Sequence, residues 1–137
     1  MNAFQQNFIK SYSDLLIDRY RIVPAVALFI ACQFALESDY GRSSIAQFNN
    51  LCGMRFPSFR PTLAKSKTNG GFAIYDSVDD CIQDYMLRNC IFSPSGKVFT
   101  DVKRFSIFIY SSGYCPERDY IKRIENVRDL YLDSLNN

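Results

Sequence analysis

Apolar residues recur at intervals of three and four from Phe4 to about Arg19 (Phe4, Phe8, Ile9, Tyr12, Leu15, Leu16), which predicts an amphipathic helix with one face on a core. The next segment opens at Pro24, a residue suited to a helix's first turn. It runs Ala25-Val26-Ala27-Leu28-Phe29-Ile30-Ala31-Cys32-Gln33-Phe34-Ala35-Leu36-Glu37. A helix apolar on every side belongs in the middle of a fold, and Gly41 is placed to end it. Between Asn49 and Tyr75 the helical period disappears. Pro57, Pro61, Gly70 and Gly71 punctuate that stretch, and Gly71-Phe72-Ala73-Ile74-Tyr75 reads as a candidate strand of a small hairpin. Ser77-Val78-Asp79-Asp80 has the form of a capping box and predicts a helix through Cys81, Ile82, Tyr85 and Met86. Pro94 and Gly96 break the chain again. Asp101 starts a helix through Phe105, Phe108 and Ile109 that Gly113 ends, and Pro116 is expected to open a last one carrying Tyr120, Ile124, Val127 and Leu130. The expected architecture is a single mainly α domain over residues 1–137, α+β only through an irregular lobe at about 49–75.

Composition narrows the chemistry. With 137 residues, 47% of them apolar and 22% charged, the chain is long enough for one buried core and has an ordinary globular balance. A net charge of +2 without a clustered basic face gives no basis for a nucleic-acid partner. Arg55, Arg60, Lys65 and Lys67 read as a solvated loop rather than a nucleic-acid patch. The sequence has no histidine, so a Ser-His or Cys-His nucleophile is excluded. Five cysteines (Cys32, Cys52, Cys81, Cys90, Cys115) without a CxxC pair make a zinc site unexpected. Cys32 and Cys81 read as small buried hydrophobes in a chain made in a reducing compartment. No cofactor is implied. Met1-Asn2-Ala3-Phe4 lacks a signal peptide's charged-then-apolar pattern. The apolar run from Ile22 to Leu36, interrupted by Gln33, is short for a membrane span.

The second half of the apolar helix contains two polar side chains, Gln33 and Glu37, four apart and so on one face. No cation lies three or four residues from Glu37. Burial and the negative end of the helix dipole both disfavour a carboxylate there, so Glu37 is expected to keep its proton toward neutral pH, as a general acid must. The plainer alternative is a structural Glu hydrogen-bonded inside the core.

The residues around Glu37 add a resemblance. Ala31-Cys32-Gln33-Phe34-Ala35-Leu36-Glu37-Ser38-Asp39-Tyr40-Gly41-Arg42-Ser43 and then Asn49-Asn50-Leu51-Cys52-Gly53-Met54-Arg55 resemble the glucosaminidase family, glycoside hydrolase family 73. Tyr75-Asp76-Ser77-Val78-Asp79-Asp80-Cys81-Ile82-Gln83-Asp84-Tyr85 and Gly113-Tyr114-Cys115-Pro116-Glu117-Arg118-Asp119-Tyr120 are similar to two later family segments, in the same order. The resemblance implies a lysozyme-like fold with a cleft between helical and hairpin lobes, and hydrolysis of the β-1,4 bond after N-acetylglucosamine in peptidoglycan. It implies Glu37 as catalytic acid, Tyr114 and Tyr120 as tyrosines near that acid and the sugar's acetamido group, and Asn50 and Gly53 as the turn shaping the cleft floor. Tyr120 has a plainer reading as a core residue, and Gly53 as a positive-φ position.

Two departures bear on mechanism. Residues 55–75 contain no Asp or Glu where some family members carry a second acid. Asp39 is too close in sequence to serve, and Asp76 reads as anchoring a turn. The expectation is therefore that the substrate's own 2-acetamido oxygen attacks, aided by Tyr114 or Tyr120. The chain has no Trp, and Tyr40 stands where the family often has one. Stacking on sugar falls to Tyr40, Phe56, Phe72 and Tyr75, and Gln33 is a further candidate contact. Rival readings are a muramidase or lytic transglycosylase on the same polymer, or a wall-binding module without activity. The expected setting is a monomer made in the cytoplasm without a recognisable signal peptide and acting in the periplasm or cell wall. A phage lysin, an injected effector with a neutralising immunity protein, or a chain trimmed of its leader would each fit.

Overall fold

The structure, a computed structural model, describes residues 1–91 and 99–136. The expected break at Pro94 and Gly96 lies outside the described residues. The chain divides into two compact units, one made of Met1–Leu36 with Phe99–Asn137, the other of Glu37–Val98.

The first unit is helical. Helix α1 (Ala3–Tyr20) begins at a full capping box, in which the Asn2 side chain accepts from the Gln5 amide while Gln5 reaches back to the Asn2 amide. Its buried stripe is Ile9, Ser13 and Leu16, and Phe4, expected on the core face, is exposed. Helix α2 (Pro24–Ser38) starts at Pro24 as expected. Val26, Ala27 and every residue from Phe29 to Ala35 are buried, which is the burial an all-round apolar helix requires. Phe34 meets Tyr12 edge-on at 6.1 Å, and Phe29 meets Phe105 of α4 (Val102–Ser111) in a T-shape at 5.9 Å. Burying a ring such as Phe29 contributes about 1.5–3 kcal/mol. Asp101 caps α4 by accepting from the Lys103 and Arg104 amides.

The last helix, α5, spans Tyr120–Ser134 and packs on both α1 and α4. Its start corrects the expectation of a helix from Pro116. Residues 115–117 carry no regular structure, since a proline's fixed φ suits a helix start without compelling one. A turn from the Glu117 carbonyl to the Tyr120 amide then leads into α5, and Arg123 reaches back to Glu117 at 2.7 Å. The buried stripe of α5 is Tyr120, Ile124 and Tyr131; Leu130, expected on the core face, is exposed.

The second unit is built around a short antiparallel pair, β1 (Ser66–Lys67) with β2 (Ala73–Ile74), in the register Ser66–Ile74 and Lys67–Ala73. The Thr68 hydroxyl accepts from the Phe72 amide inside the connecting turn. On the other side of β2, Phe72 bridges Arg55 and the Ala73 amide donates to the Met54 carbonyl, so Met54–Phe56 lies alongside as a partial third strand. The unit also holds a 3-10 turn (Ile45–Phe48) and α3 (Val78–Arg88), whose cap Ser77 accepts from the Asp80 amide. Among the described residues the fold is thus mainly α, with one small two-stranded sheet. Among the described residues no helix is long and apolar enough to cross a membrane.

Candidate active site

Glu37 lies in the last turn of α2, half-buried, and no basic residue occupies that turn. The chain beyond it bends sharply. Asp39, Tyr40 and Gly41 follow one another in left-handed conformations, at φ 49°, 56° and 81°. Two of these are not glycine, and such residues persist only where the surroundings hold them. Ser38 supplies part of that hold. Its hydroxyl accepts from the Gly41 amide at 2.9 Å, and its carbonyl accepts from Arg42 and Ser43. Arg42 in turn pairs with Asp39 at 3.2 Å. Tyr40, the candidate stacking residue, is half-exposed on this bend.

The Glu37 carboxyl rests against Gly53. A Cβ added at position 53 would fall 2.1 Å from Glu37 Oε2 and 2.6 Å from Cδ, and Gly53 sits at φ +67°. Glycine is required there twice over, for its backbone and for the space the carboxyl occupies. The turn that delivers Gly53 is held by the fully buried Asn50. The Asn50 Nδ2 donates to the Met54 and Ala73 carbonyls, at 2.8 and 3.0 Å. Its Oδ1 accepts from the Cys52 and Met54 amides, at 3.3 and 3.1 Å. Asn50 shapes the turn from inside, and its burial leaves it no surface for a sugar. The Glu37 charge is felt at two buried neighbours. Burial raises the Cys52 thiol well above its ordinary value, followed by its contact with Cys81 and then by Glu37. Burial likewise raises the Tyr85 phenol, with Cys52 and Glu37 adding to it.

The other candidates divide. Gln33 is fully buried and its Nε2 donates to the Tyr120 hydroxyl at 2.9 Å; Tyr120 is only 1% exposed. A buried amide paired with a buried phenol fits a part in holding α2 and α5 together rather than direct contact with a polymer. Tyr114 is half-buried and its ring stacks on that of Tyr120, 6.1 Å between centroids and 11° from parallel. Phe72 and Phe56 are half-buried, and the Arg55 guanidinium lies 4.7 Å above the Phe72 ring. Tyr75 departs from its expected role. At 1% exposure it points inward from the end of β2, where alternation turns it to the same side as Ala73. Its hydroxyl donates to Asp84 at 2.5 Å.

Asp84 is the group that reading the sequence missed. Its side chain is fully buried. It accepts from both Nη atoms of Arg60 at 2.9 and 3.2 Å, from the Thr62 hydroxyl at 2.9 Å, from the Leu63 amide at 3.1 Å, and from Tyr75. Burial alone would raise its pKa. The hydrogen bonds from Arg60, Tyr75, Leu63 and Thr62 overcome that and hold it below the ordinary carboxylate value. The signal available was an acid one residue from Tyr85 and three from Cys81, on the apolar face of a helix. Of the basic residues Arg55, Arg60, Lys65 and Lys67, all but the part-buried Arg60 are exposed, as a solvated loop requires. Arg60 serves Asp84, Arg55 covers Phe72, and Lys65 pairs with Asp76 at 2.9 Å. Among the described residues no cluster of His, Cys, Asp or Glu could hold a metal ion.

Set beside known proteins, residues 12–132 match the Glucosaminidase family, described as mannosyl-glycoprotein endo-β-N-acetylglucosaminidase. No curated protein sequence matches the chain. Two solved structures share the fold. One is a chain of a type VI secretion system effector–immunity complex from Pseudomonas protegens, with 19% identity, a TM-score of 0.62, and coverage of 93% of this chain and 96% of that one. The other is the catalytic domain of the autolysin Auto from Listeria monocytogenes, with 22% identity, a TM-score of 0.57, and coverage of 96% of this chain and 86% of that one.

Proposed function

Since this chain belongs to the Glucosaminidase family and so to the glycoside hydrolases, we propose that it cleaves the β-1,4 bond after N-acetylglucosamine in peptidoglycan, with Glu37 as general acid. The observation that carries this reading is the fit between Glu37 and Gly53. A half-buried carboxyl ends an apolar helix, and a glycine is kept bare so that the carboxyl can occupy that place. Partial burial and the helix dipole both favour its protonated form, the form that can hand a proton to a leaving glycosidic oxygen.

The second catalytic function is assigned to the substrate. In the hairpin unit Asp39 and Asp76 are ion-paired to Arg42 and Lys65, and Asp84 is locked to Arg60. Residues 55–75 contain no Asp or Glu. The 2-acetamido oxygen of the sugar is then the nucleophile, and the released anomer is retained. The reading places the enzyme's work in the periplasm or cell wall. The likeness to a chain of an effector–immunity complex supports an immunity protein as partner if this protein is delivered into a rival cell.

The test is digestion of purified peptidoglycan followed by mass spectrometry and anomer analysis. Wild type should release reducing N-acetylglucosamine ends with retained configuration, and Glu37→Gln should lose about 10²–10⁴ in rate. Anhydromuramic ends would make the protein a lytic transglycosylase, an inverted product would rule out acetamido attack, and a fully active Glu37→Gln would remove the acid role.

A further inference from the structure

We propose that Cys52 and Cys81 are a disulfide-forming pair, joined into one intrachain bond when the protein folds in the presence of a disulfide oxidant. Their sulfurs stand 3.1 Å apart, and closing to a bond of about 2.05 Å requires a movement of only about 1 Å. Both side chains are fully buried. Each is carried by a segment fixed independently of the other. Cys52 sits in the turn that Asn50 holds from inside, between Leu51 and Gly53. Cys81 is in the first turn of α3, behind the Ser77 cap and one turn before the Asp84 network. The approach of the two sulfurs is therefore set by anchored backbone and not by the swing of a loose side chain. The remaining cysteines are placed differently: Cys90 is exposed beyond the end of α3, and Cys32 and Cys115 belong to the helical unit.

The chemistry is a two-step exchange with a small-molecule disulfide such as oxidised glutathione. One protein thiolate attacks the oxidant's sulfur, forming a mixed disulfide and expelling a thiol. The second protein thiolate then attacks the protein-bound sulfur and expels the other thiol. Two electrons pass from the cysteines to the oxidant, and the two thiol protons end on its two released thiols. Cys81 also donates weakly to Asn50 Oδ1, at 3.9 Å. Losing that contact leaves Oδ1 with the Cys52 and Met54 amides, so the turn keeps its hold. Because both sulfurs are sealed from solvent, and burial suppresses the Cys52 thiolate, exchange belongs to the folding chain and not to the folded one. Once made, the bond is shielded from reductants. It would tie α3 to the turn whose Gly53 lies against Glu37, giving a protein that is reduced where it is made and stapled where it folds in an oxidising space.

The experiment is refolding of the whole chain from denaturant in a reduced/oxidised glutathione mixture, with a parallel sample in dithiothreitol. A Cys90→Ser/Cys115→Ser version removes the two thiols that are not fully buried. The glutathione sample should lose the mass of two hydrogens, yield a Cys52–Cys81 linked peptide in a non-reducing map, and melt about 10 °C higher than the reduced sample. Cys52→Ala should abolish both the mass change and the difference in melting between the two samples. If that variant does not fold, the peptide map of the parent decides alone. Recovery of Cys52 and Cys81 as alkylated thiols after oxidative refolding, or their linkage to other cysteines, overturns the proposal.

Discussion

A methyl group at position 53 would have to share space with the Glu37 carboxyl, on a backbone whose φ of +67° disfavours any side chain. Gly53→Ala is therefore expected to cost about 1–3 kcal/mol of stability and to lower the rate on peptidoglycan by about a hundredfold through displacement of the acid. Melting curves and kcat/KM on the same preparation check both. Asp84 poses the opposite situation, a charge fully buried among donors. Asp84→Asn leaves Arg60 facing a neutral amide, and a loss of about 3–5 kcal/mol is expected at pH 7. The pH dependence follows from the lowered pKa. The contribution is complete above the unfolded value of 3.8 and is lost as pH falls from there through the folded value, since only the ionised form gains from the donors. Urea midpoints of wild type and Asp84→Asn should converge at acid pH. Glu37 was legible in the sequence because a charge at the end of an apolar helix stands out. Asp84 was not, because one acid on an otherwise amphipathic helix looks the same whether it faces water or a guanidinium twenty-four residues away.

At the scale of elements, periodicity placed α1, α2, α3 and α4 to within one or two residues, and the strand at 73–74 inside its expected segment. It failed where side-chain type could not tell inward from outward. Tyr75 carries the ring that a sugar platform would use, yet it turns its hydroxyl to the buried Asp84, whereas Tyr120, bonded to Gln33, takes the core position that the period of its helix offered. Pro116 was read as a helix start. The chain first makes a turn at Glu117, to which Arg123 reaches back, and α5 begins only at Tyr120. The pairing of Gln33 with Tyr120 gives a clean prediction. Tyr120→Phe should lower stability by about 1–3 kcal/mol, the cost of withdrawing a buried hydrogen-bond partner, while turnover per folded molecule changes by less than about threefold. A rate loss of the size expected for Glu37→Gln, with unchanged melting, would instead make Tyr120 part of the chemistry.

On the scale of the whole molecule, the helical unit is assembled from both ends of the chain, while the hairpin unit is one continuous stretch. Helix α1 packs on α5, and Gln6 reaches the Ser134 carbonyl across 128 positions of sequence, at 3.5 Å. Truncation before Tyr120 should therefore leave the helical unit unfolded, seen as loss of cooperative melting, because α1 and α4 both lose the surface they pack on. The same arrangement divides the contacts by range. Closing the helical unit means bringing together positions more than a hundred residues apart, which carries the larger loop-closure cost, whereas Glu37–Val98 is held by its own local pairings. A single backbone cut between the two stretches of the helical unit would turn that closure into an encounter of separate pieces.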